Sequence, residues 1–202
     1  MICKRTATPQ NFDFETREID GKKYIEGYFS VFGAVYPLWD NGIETVDEGA
    51  FDLAMDTDVR ALTNHDTTLV LGRTTAGTLE LRTDEKGLWG RVEINEADQD
   101  AVNLYERVKR RDVTQCSFGF DILTEEIEQR DDGITVWHLK RVKLYEVSVC
   151  TFPAYEDTGV QARKAELEEI EKRKAERWRA DMLAKLKGEN NGAESTDAPP
   201  ED

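Results

Sequence analysis

The chain lacks any surplus of positive charge. Its 202 residues include 42 Asp and Glu against 27 Lys and Arg, which gives a formal net charge of −15. Proteins that coat DNA or RNA need many cationic side chains to displace phosphate counterions. Binding to an anionic membrane surface has the same requirement. The composition therefore excludes a nucleic-acid coat protein, argues against specific nucleic-acid binding and predicts no membrane partner.

Long apolar runs are also missing. Stretches such as residues 147–152 are far shorter than the roughly 20 residues that cross a bilayer. Residues 1–6 carry early charges with no apolar stretch behind them, so the sequence predicts no secretory signal. We expect no transmembrane segment, and a protein that works in the cytoplasm where it is made.

Cysteine and histidine are scarce. Cys3, Cys116 and Cys150 form no close-spaced pair, which argues against a disulfide framework or a zinc knuckle. The two interior cysteines are predicted to be reduced core thiols. The two histidines show no metal-ligand spacing, and there is no Gly-rich phosphate loop. The sequence therefore predicts neither a metal nor a cofactor.

What is present divides the chain into three segments. Residues 1–163 hold most of the aromatic residues and predict one folded body. Residues 164–187 contain no Gly or Pro and predict an amphipathic helix, suited to packing on the body, to self-association or to tethering. Residues 188–202 contain five acids and no base, and predict a disordered acidic tail. The apolar stripe of the helix comprises Leu167, Ile170, Trp178, Met182 and Leu186.

Short β-rich runs dominate the body. The predicted strands are residues 24–32, 69–72, 78–82, 88–94, 117–123, 125–129, 134–139 and 143–151. Two helices interrupt them, a short one near residues 48–55 and a longer one that begins after Asn95 as its N-cap. This pattern predicts an α+β fold, an antiparallel or mixed β-barrel decorated with helices.

Only His65 and His138 could act as a histidine general base. His65 follows an apolar run and precedes Asp66, a context also typical of a surface-loop histidine, whereas His138 lies inside a predicted strand. Ser117 is a candidate nucleophile, because a neighbouring glycine lets backbone approach a reacting group. By spacing alone a strand-start serine explains it equally well. Cys116 is a competing nucleophile, although apolar flanks favour an inert thiol.

The last strand, residues 143–151, carries an unexpected acid. Alternation places Glu146 on the same face as Leu144 and Cys150. A bare charge among such neighbours is costly without a partner. The pattern therefore predicts that Glu146 has a polar partner within the fold.

Several segments resemble the prohead protease family of tailed bacteriophages, serine peptidases that mature the capsid and are distantly similar to herpesvirus assemblin. The resemblance covers residues 24–161. The segments that carry it are residues 25–32, Gly49-Ala50-Phe51, Asn64-His65-Asp66 with Leu71-Gly72-Arg73, Cys116-Ser117-Phe118-Gly119-Phe120, and Tyr145-Glu146-Val147-Ser148 followed by Thr151-Phe152-Pro153-Ala154. Each segment is short, but their order matches the family.

The resemblance implies that Ser117 is the nucleophile and His65 its general base. A third group must orient the imidazole and stabilise its positive charge, and Glu146 is our choice. Assemblin relatives use a second histidine in this role, which leaves His138 as the alternative. The resemblance also implies an assemblin-like fold.

The function that the resemblance implies is capsid maturation by proteolysis. The enzyme would be enclosed in the procapsid in the host cytoplasm and would cleave scaffolding protein, or the scaffolding segment of the major capsid protein, and itself. One rival hypothesis is a non-catalytic capsid or scaffold component with the same fold. Another is a cysteine peptidase that uses Cys116.

Overall fold

The computed structural model describes residues 3–6, 14–152 and 157–190, and describes side chains over residues 14–152 and 163–185. Within these residues the chain forms eleven strands and two α-helices, α1 (Gln99–Lys109) and α2 (Asp157–Asn190). The strands are β1 (Cys3–Thr6), β2 (Glu15–Ile19), β3 (Lys22–Val31), β4 (Val35–Trp39), β5 (Gly42–Val46), β6 (Arg60–Thr63), β7 (Asp66–Arg73), β8 (Leu79–Thr83), β9 (Gly87–Glu93), β10 (Gln115–Gln129) and β11 (Thr135–Cys150). The predicted α+β class is confirmed.

The strands form two sheets. The larger sheet is mixed and has the order β1-β10-β11-β5-β4, with β6 and β7 attached beside β11. Strand β11 pairs in parallel with β5 through Thr135 to Leu139, and with β6 through Glu146 to Val149. The smaller sheet is antiparallel, in the order β2-β3-β9-β8. The long strand β11 therefore brings β6 and β10 to its two edges.

The predicted β-barrel is wrong, because neither sheet closes on itself among the described strands. The reason lies in the length of the β10–β11 hairpin, whose strands have 15 and 16 residues. One edge of β11 is long enough to accept two different strands in succession. The sheet therefore extends sideways to β4 and β7 instead of closing.

Local irregularities explain why the predicted strand breaks are absent. Residues 117–123 and 125–129 belong to one strand, β10, in which register shifts occur near Ile122 and Thr124. A bulge of this kind bends a strand without ending it. Residues 134–139 and 143–151 likewise fall almost entirely within β11.

The helices differ from prediction at their ends. Helix α1 is capped by Asp98, whose side chain accepts hydrogen bonds from the backbone N–H groups of Asp100 and Ala101, and not by Asn95. The helix predicted near residues 48–55 is a single 3-10 turn, Asp52–Ala54. Its short length fits a segment that contains a glycine with positive φ, Gly49.

The core fixes strand β10. Cys116, Phe118 and Phe120 alternate along one face and are fully buried. The Phe118 ring packs edge-on against Phe51 at 5.5 Å and stacks on Phe120 at 5.1 Å. Because these aromatic rings hold one face of β10, the opposite face, which carries Ser117 and Gly119, is held in a defined place.

The chain divides into two compact units, Met1–Glu156 and Asp157–Asp202. The second unit contains α2, which extends through residues 164–187 to Asn190. The remainder of the predicted tail, residues 191–202, lies outside the described residues, as do Pro153 and Ala154. Across the described residues, no helix combines the length and the apolar character needed to span a membrane.

Candidate active site

The candidate site lies where β11 meets β10 on one edge and β6 on the other. The antiparallel register pairs Ser117 with Ser148 and Gly119 with Glu146. Paired residues share a face, as do residues two apart on one strand. Ser117, Gly119, Glu146 and Ser148 therefore lie on one face, opposite the aromatic side chains that enter the core.

Gly119 makes room for the Glu146 side chain. A Cβ atom at Gly119 would lie 3.1 Å from Cδ and 3.2 Å from Cγ of Glu146, and it would overlap Oε1. Because Gly119 has no side chain, the Glu146 carboxylate can lie directly against β10 at this position.

His65 is held in a tight turn between β6 and β7. Asn64 and His65 have φ values of 51° and 60°, between Thr63 and Asp66, which pair with each other. Two central residues with positive φ are typical of a type I′ hairpin turn, which costs free energy for residues other than glycine. Strain of this kind, when the surrounding contacts maintain it, is often found at functional sites.

Three hydrogen bonds hold this turn against β11 and the residue that follows it. The Asn64 N–H donates to the carbonyl of Val149 at 3.0 Å. The Thr151 N–H donates to Asn64 Oδ1 at 2.8 Å, and the His65 N–H donates to Ser148 Oγ at 3.2 Å. The position of the His65 ring is thus tied to β11, the strand that carries Glu146.

The imidazole and the carboxylate form a buried pair. His65 Nδ1 lies 2.7 Å from Glu146 Oε1, and the two side chains are only 5% and 10% exposed. An ionised carboxylate can only accept hydrogen bonds, so the network assigns the proton to Nδ1. Nε2 is then an acceptor. It is buried and has no hydrogen-bond partner among the described residues.

The second carboxylate oxygen is also occupied. Ser148 Oγ donates to Glu146 Oε2 at 2.5 Å, and Ser148 is fully buried. Both oxygens of the Glu146 carboxylate therefore have a donor. The prediction that Glu146 has a polar partner within the fold is confirmed, and the partners are His65 and Ser148.

Ser117 lies next to this network, although His65 Nε2 has no hydrogen-bond partner among the described residues. It is fully buried and directly opposite Ser148, at a cross-strand Cβ separation of about 5 Å for such pairs. Catalytic hydrogen bonds are often long or misaligned before substrate binds. The structure therefore places all three predicted residues on one side of β10 and β11 and joins two of them directly.

Cys116 has the properties of an inert thiol. It points to the opposite side of β10 from Ser117, and its Sγ contacts the backbone carbonyls of Tyr28 and Phe29 at 3.4 Å and 3.5 Å. Complete burial raises the pKa of the Cys116 thiol well above its usual value. The thiolate that a cysteine peptidase needs is thus disfavoured.

His138 lies far from this site along β11. It is eight residues from Glu146, roughly 26 Å along an extended strand. Its Nδ1 contacts Thr45 Oγ1 at 3.0 Å, and its Nε2 contacts Glu128 Oε2 at 3.2 Å. The structure does not bring His138 to His65 and Ser117.

The network contains a residue that the sequence reasoning did not select. Alternation along residues 143–151 placed Ser148 on the face of Glu146, and a family segment contained it, but neither pattern assigned it a role. As for metals, no group of three or more His, Cys, Asp or Glu residues in the described part of the chain is arranged to hold an ion.

Comparisons with known proteins point to one family. Residues 10–173 match the model of a family described as caudovirus prohead serine protease. The chain is 30% identical over 193 residues to a protein named prohead protease from Enterobacteria phage HK97, and the match covers 91% of this chain and 81% of that protein. No solved structure is significantly similar to the chain. The family match includes the positions of His65, Ser117 and Glu146.

Proposed function

Because the chain belongs to the caudovirus prohead serine protease family, we propose that Ser117 is its nucleophile, His65 its general base and Glu146 the carboxylate that orients His65. The family assignment makes the chain a serine protease of capsid maturation. The observation that carries the residue assignment is the buried 2.7 Å pair between His65 Nδ1 and Glu146 Oε1, which leaves Nε2 as a buried acceptor with no partner among the described residues.

In the proposed mechanism, Ser117 Oγ attacks the scissile carbonyl carbon while His65 Nε2 takes the hydroxyl proton. The imidazolium that forms donates through Nδ1 to Glu146, which stabilises its charge. The tetrahedral intermediate expels the amine, which receives the proton from Nε2. A water molecule then repeats the sequence on the acyl-enzyme and releases Ser117.

The proposed substrates are scaffolding protein, or the scaffolding segment of the major capsid protein, and the protease itself. The enzyme would act inside the procapsid in the infected host cytoplasm. A net charge of −15 is compatible with this setting, because it disfavours nonspecific binding to incoming DNA. The distant relation to herpesvirus assemblin stays a prediction of the sequence resemblance.

Co-expression with the major capsid protein of the same phage tests this function. Wild-type enzyme should convert the capsid protein to a shorter form whose new N-terminus maps one cleavage site. Ser117→Ala and His65→Ala should each abolish the conversion while the chain stays folded, which a cooperative thermal unfolding transition would show. Normal processing by Ser117→Ala would reject Ser117 as the nucleophile.

We further propose that residues 164–187 of α2 tether the protease to scaffold or capsid protein, or mediate self-association. Trp178, Met182 and Leu183 are apolar and exposed on this helix. A chain truncated after Arg163 should still cleave a peptide but should enter procapsids less efficiently. Unchanged packaging of the truncated chain would reject the tether.

A further inference from the structure

Ser148 makes two hydrogen bonds that both lead to the proposed catalytic pair. Its hydroxyl donates to Glu146 Oε2 at 2.5 Å and accepts the backbone N–H of His65 at 3.2 Å. A hydroxyl has one hydrogen and two lone pairs, so both bonds can form at once. One buried atom thus links the carboxylate to the main chain of the general base.

The first of these bonds fixes the rotation of the Glu146 carboxylate. Oε1 accepts from His65 Nδ1 and Oε2 accepts from Ser148. Gly119 lies directly against Oε1 and leaves no space for a bulkier neighbour. With a donor at each oxygen, the carboxylate has one orientation in which both bonds are satisfied.

The second bond fixes the turn that carries the imidazole. His65 has a φ of 60°, a left-handed conformation that residues other than glycine rarely adopt. A backbone in such a conformation persists when surrounding contacts determine it. The bond from the His65 N–H to Ser148 is one of those contacts. It fixes the His65 backbone, from which the imidazole extends.

From these bonds we propose that Ser148 is a positioning residue of the protease, which aligns Glu146 and His65 with each other. This inference rests on the proposed roles of His65 and Glu146. Ser148 does not act as a second nucleophile, because its proton is directed at Glu146 Oε2 and not at His65 Nε2. Its effect on turnover therefore passes through Glu146.

The test compares Ser148→Ala in two backgrounds, wild type and Glu146→Gln. The readouts are kcat and KM for a peptide that spans the mapped cleavage site, and the rate at which a fluorophosphonate probe labels the enzyme. In the wild-type background, Ser148→Ala should lower kcat and the labelling rate by about 10- to 100-fold, since small misplacements of catalytic groups cost this much. KM should change less than about twofold.

In the Glu146→Gln background, the same substitution should lower kcat and the labelling rate by less than about threefold, because the effects of residues that act as a unit are not additive.

Two further variants keep the test decisive. Ser148→Cys keeps nearly the same side-chain size but replaces the hydroxyl with a weak donor. If the Ser148→Ala chain does not fold, the expected loss of kcat must still be seen in Ser148→Cys. Ser30→Ala is the matched control: Ser30 is also fully buried, and its hydroxyl bonds the Tyr36 hydroxyl at 3.3 Å away from the site. It should keep kcat within about twofold.

The outcomes separate this inference from the proposed function. Equal losses in both backgrounds, or full activity of Ser148→Ala with Ser117→Ala inactive, would overturn only the role of Ser148. A fluorophosphonate adduct on Ser148, or processing by Ser117→Ala, would overturn the proposed triad instead. An adduct on Ser117 together with the non-additive pattern supports both.

Discussion

His65 Nδ1 and Glu146 Oε1 lie 2.7 Å apart, although their residues are 81 positions apart in the chain. The contact exists because β6 runs parallel to the last part of β11 with Thr63 opposite Val149, so the turn after Thr63 lies at the same end of β11 as Glu146. Neither side chain is more than 10% exposed. A burial of this extent shields the pair from solvent, which strengthens its electrostatic interaction.

The first prediction concerns the charge of Glu146. Glu146→Gln keeps the size of the side chain but removes the acceptor charge that stabilises the imidazolium. We expect kcat for the mapped peptide to fall about 10³- to 10⁴-fold, the loss seen when the carboxylate of a serine protease triad becomes an amide. Steady-state kinetics with the thermal unfolding temperature as a folding check would measure it.

His138→Gln is the matched comparison for this prediction. His138 contacts Thr45 and Glu128 at the far end of β11, so its loss should leave kcat within about threefold. If His138→Gln were the more damaging of the two substitutions, the third catalytic group would be His138.

The second prediction concerns the space above Gly119. Gly119→Ala places a Cβ against the Glu146 carboxylate, which must move away from His65. We expect kcat to fall by about 10- to 100-fold, with overpacking that destabilises the fold by about 1–3 kcal/mol. Peptide kinetics and denaturant unfolding would separate the two effects.

Gly90→Ala is the control for overpacking alone. A Cβ at Gly90 would lie 2.7 Å from the Phe29 ring and 2.8 Å from Leu81, in the other sheet. This variant should lose a comparable amount of stability and keep its kcat. An equal loss of kcat in both variants would mean that Gly119 acts through stability and not through Glu146.

The residues of the candidate site differ in how well the sequence predicts their positions. Alternation along residues 143–151 placed Glu146 and Ser148 on one face, and this is local information that a single strand contains. The pairing of β6 with β11 and the turn at Asn64 and His65 depend on long-range contacts, which no local pattern encodes. The barrel prediction failed for the same reason, because closure is decided by which distant strands meet along β11.

The third prediction concerns stability at high pH. Burial raises the pKa of Tyr36 to about 12, above the usual value near 10, because the neutral phenol is favoured in the core. The native state holds this proton more tightly than the unfolded state, so its contribution is complete below pH 10 and is lost as the pH rises from 10 to about 12. The loss should amount to about 2–3 kcal/mol.

Denaturant unfolding at several values in this pH range would measure the loss for wild type and for Tyr36→Phe. The variant has no phenol to ionise, so its stability should fall less steeply over the same interval. Parallel curves for the two proteins would show that Tyr36 does not titrate in this way.

The fourth prediction separates a serine from a cysteine mechanism. Cys116 and Cys150 are both fully buried, and burial raises the pKa of the Cys116 thiol, so neither should react with iodoacetamide until the chain unfolds. Cys116→Ala should keep kcat within about twofold and lose about 1–2 kcal/mol of stability through the cavity it leaves. Peptide mapping of alkylated cysteines and kinetics of the variant give the two measurements.

A cysteine peptidase would behave in the opposite way: iodoacetamide would inactivate it, Cys116→Ala would be inactive, and Ser117→Ala would retain activity. Because Cys116 and Ser117 project from opposite faces of β10, the imidazole of His65 can serve only one of them, and the face that holds Glu146 is that of Ser117.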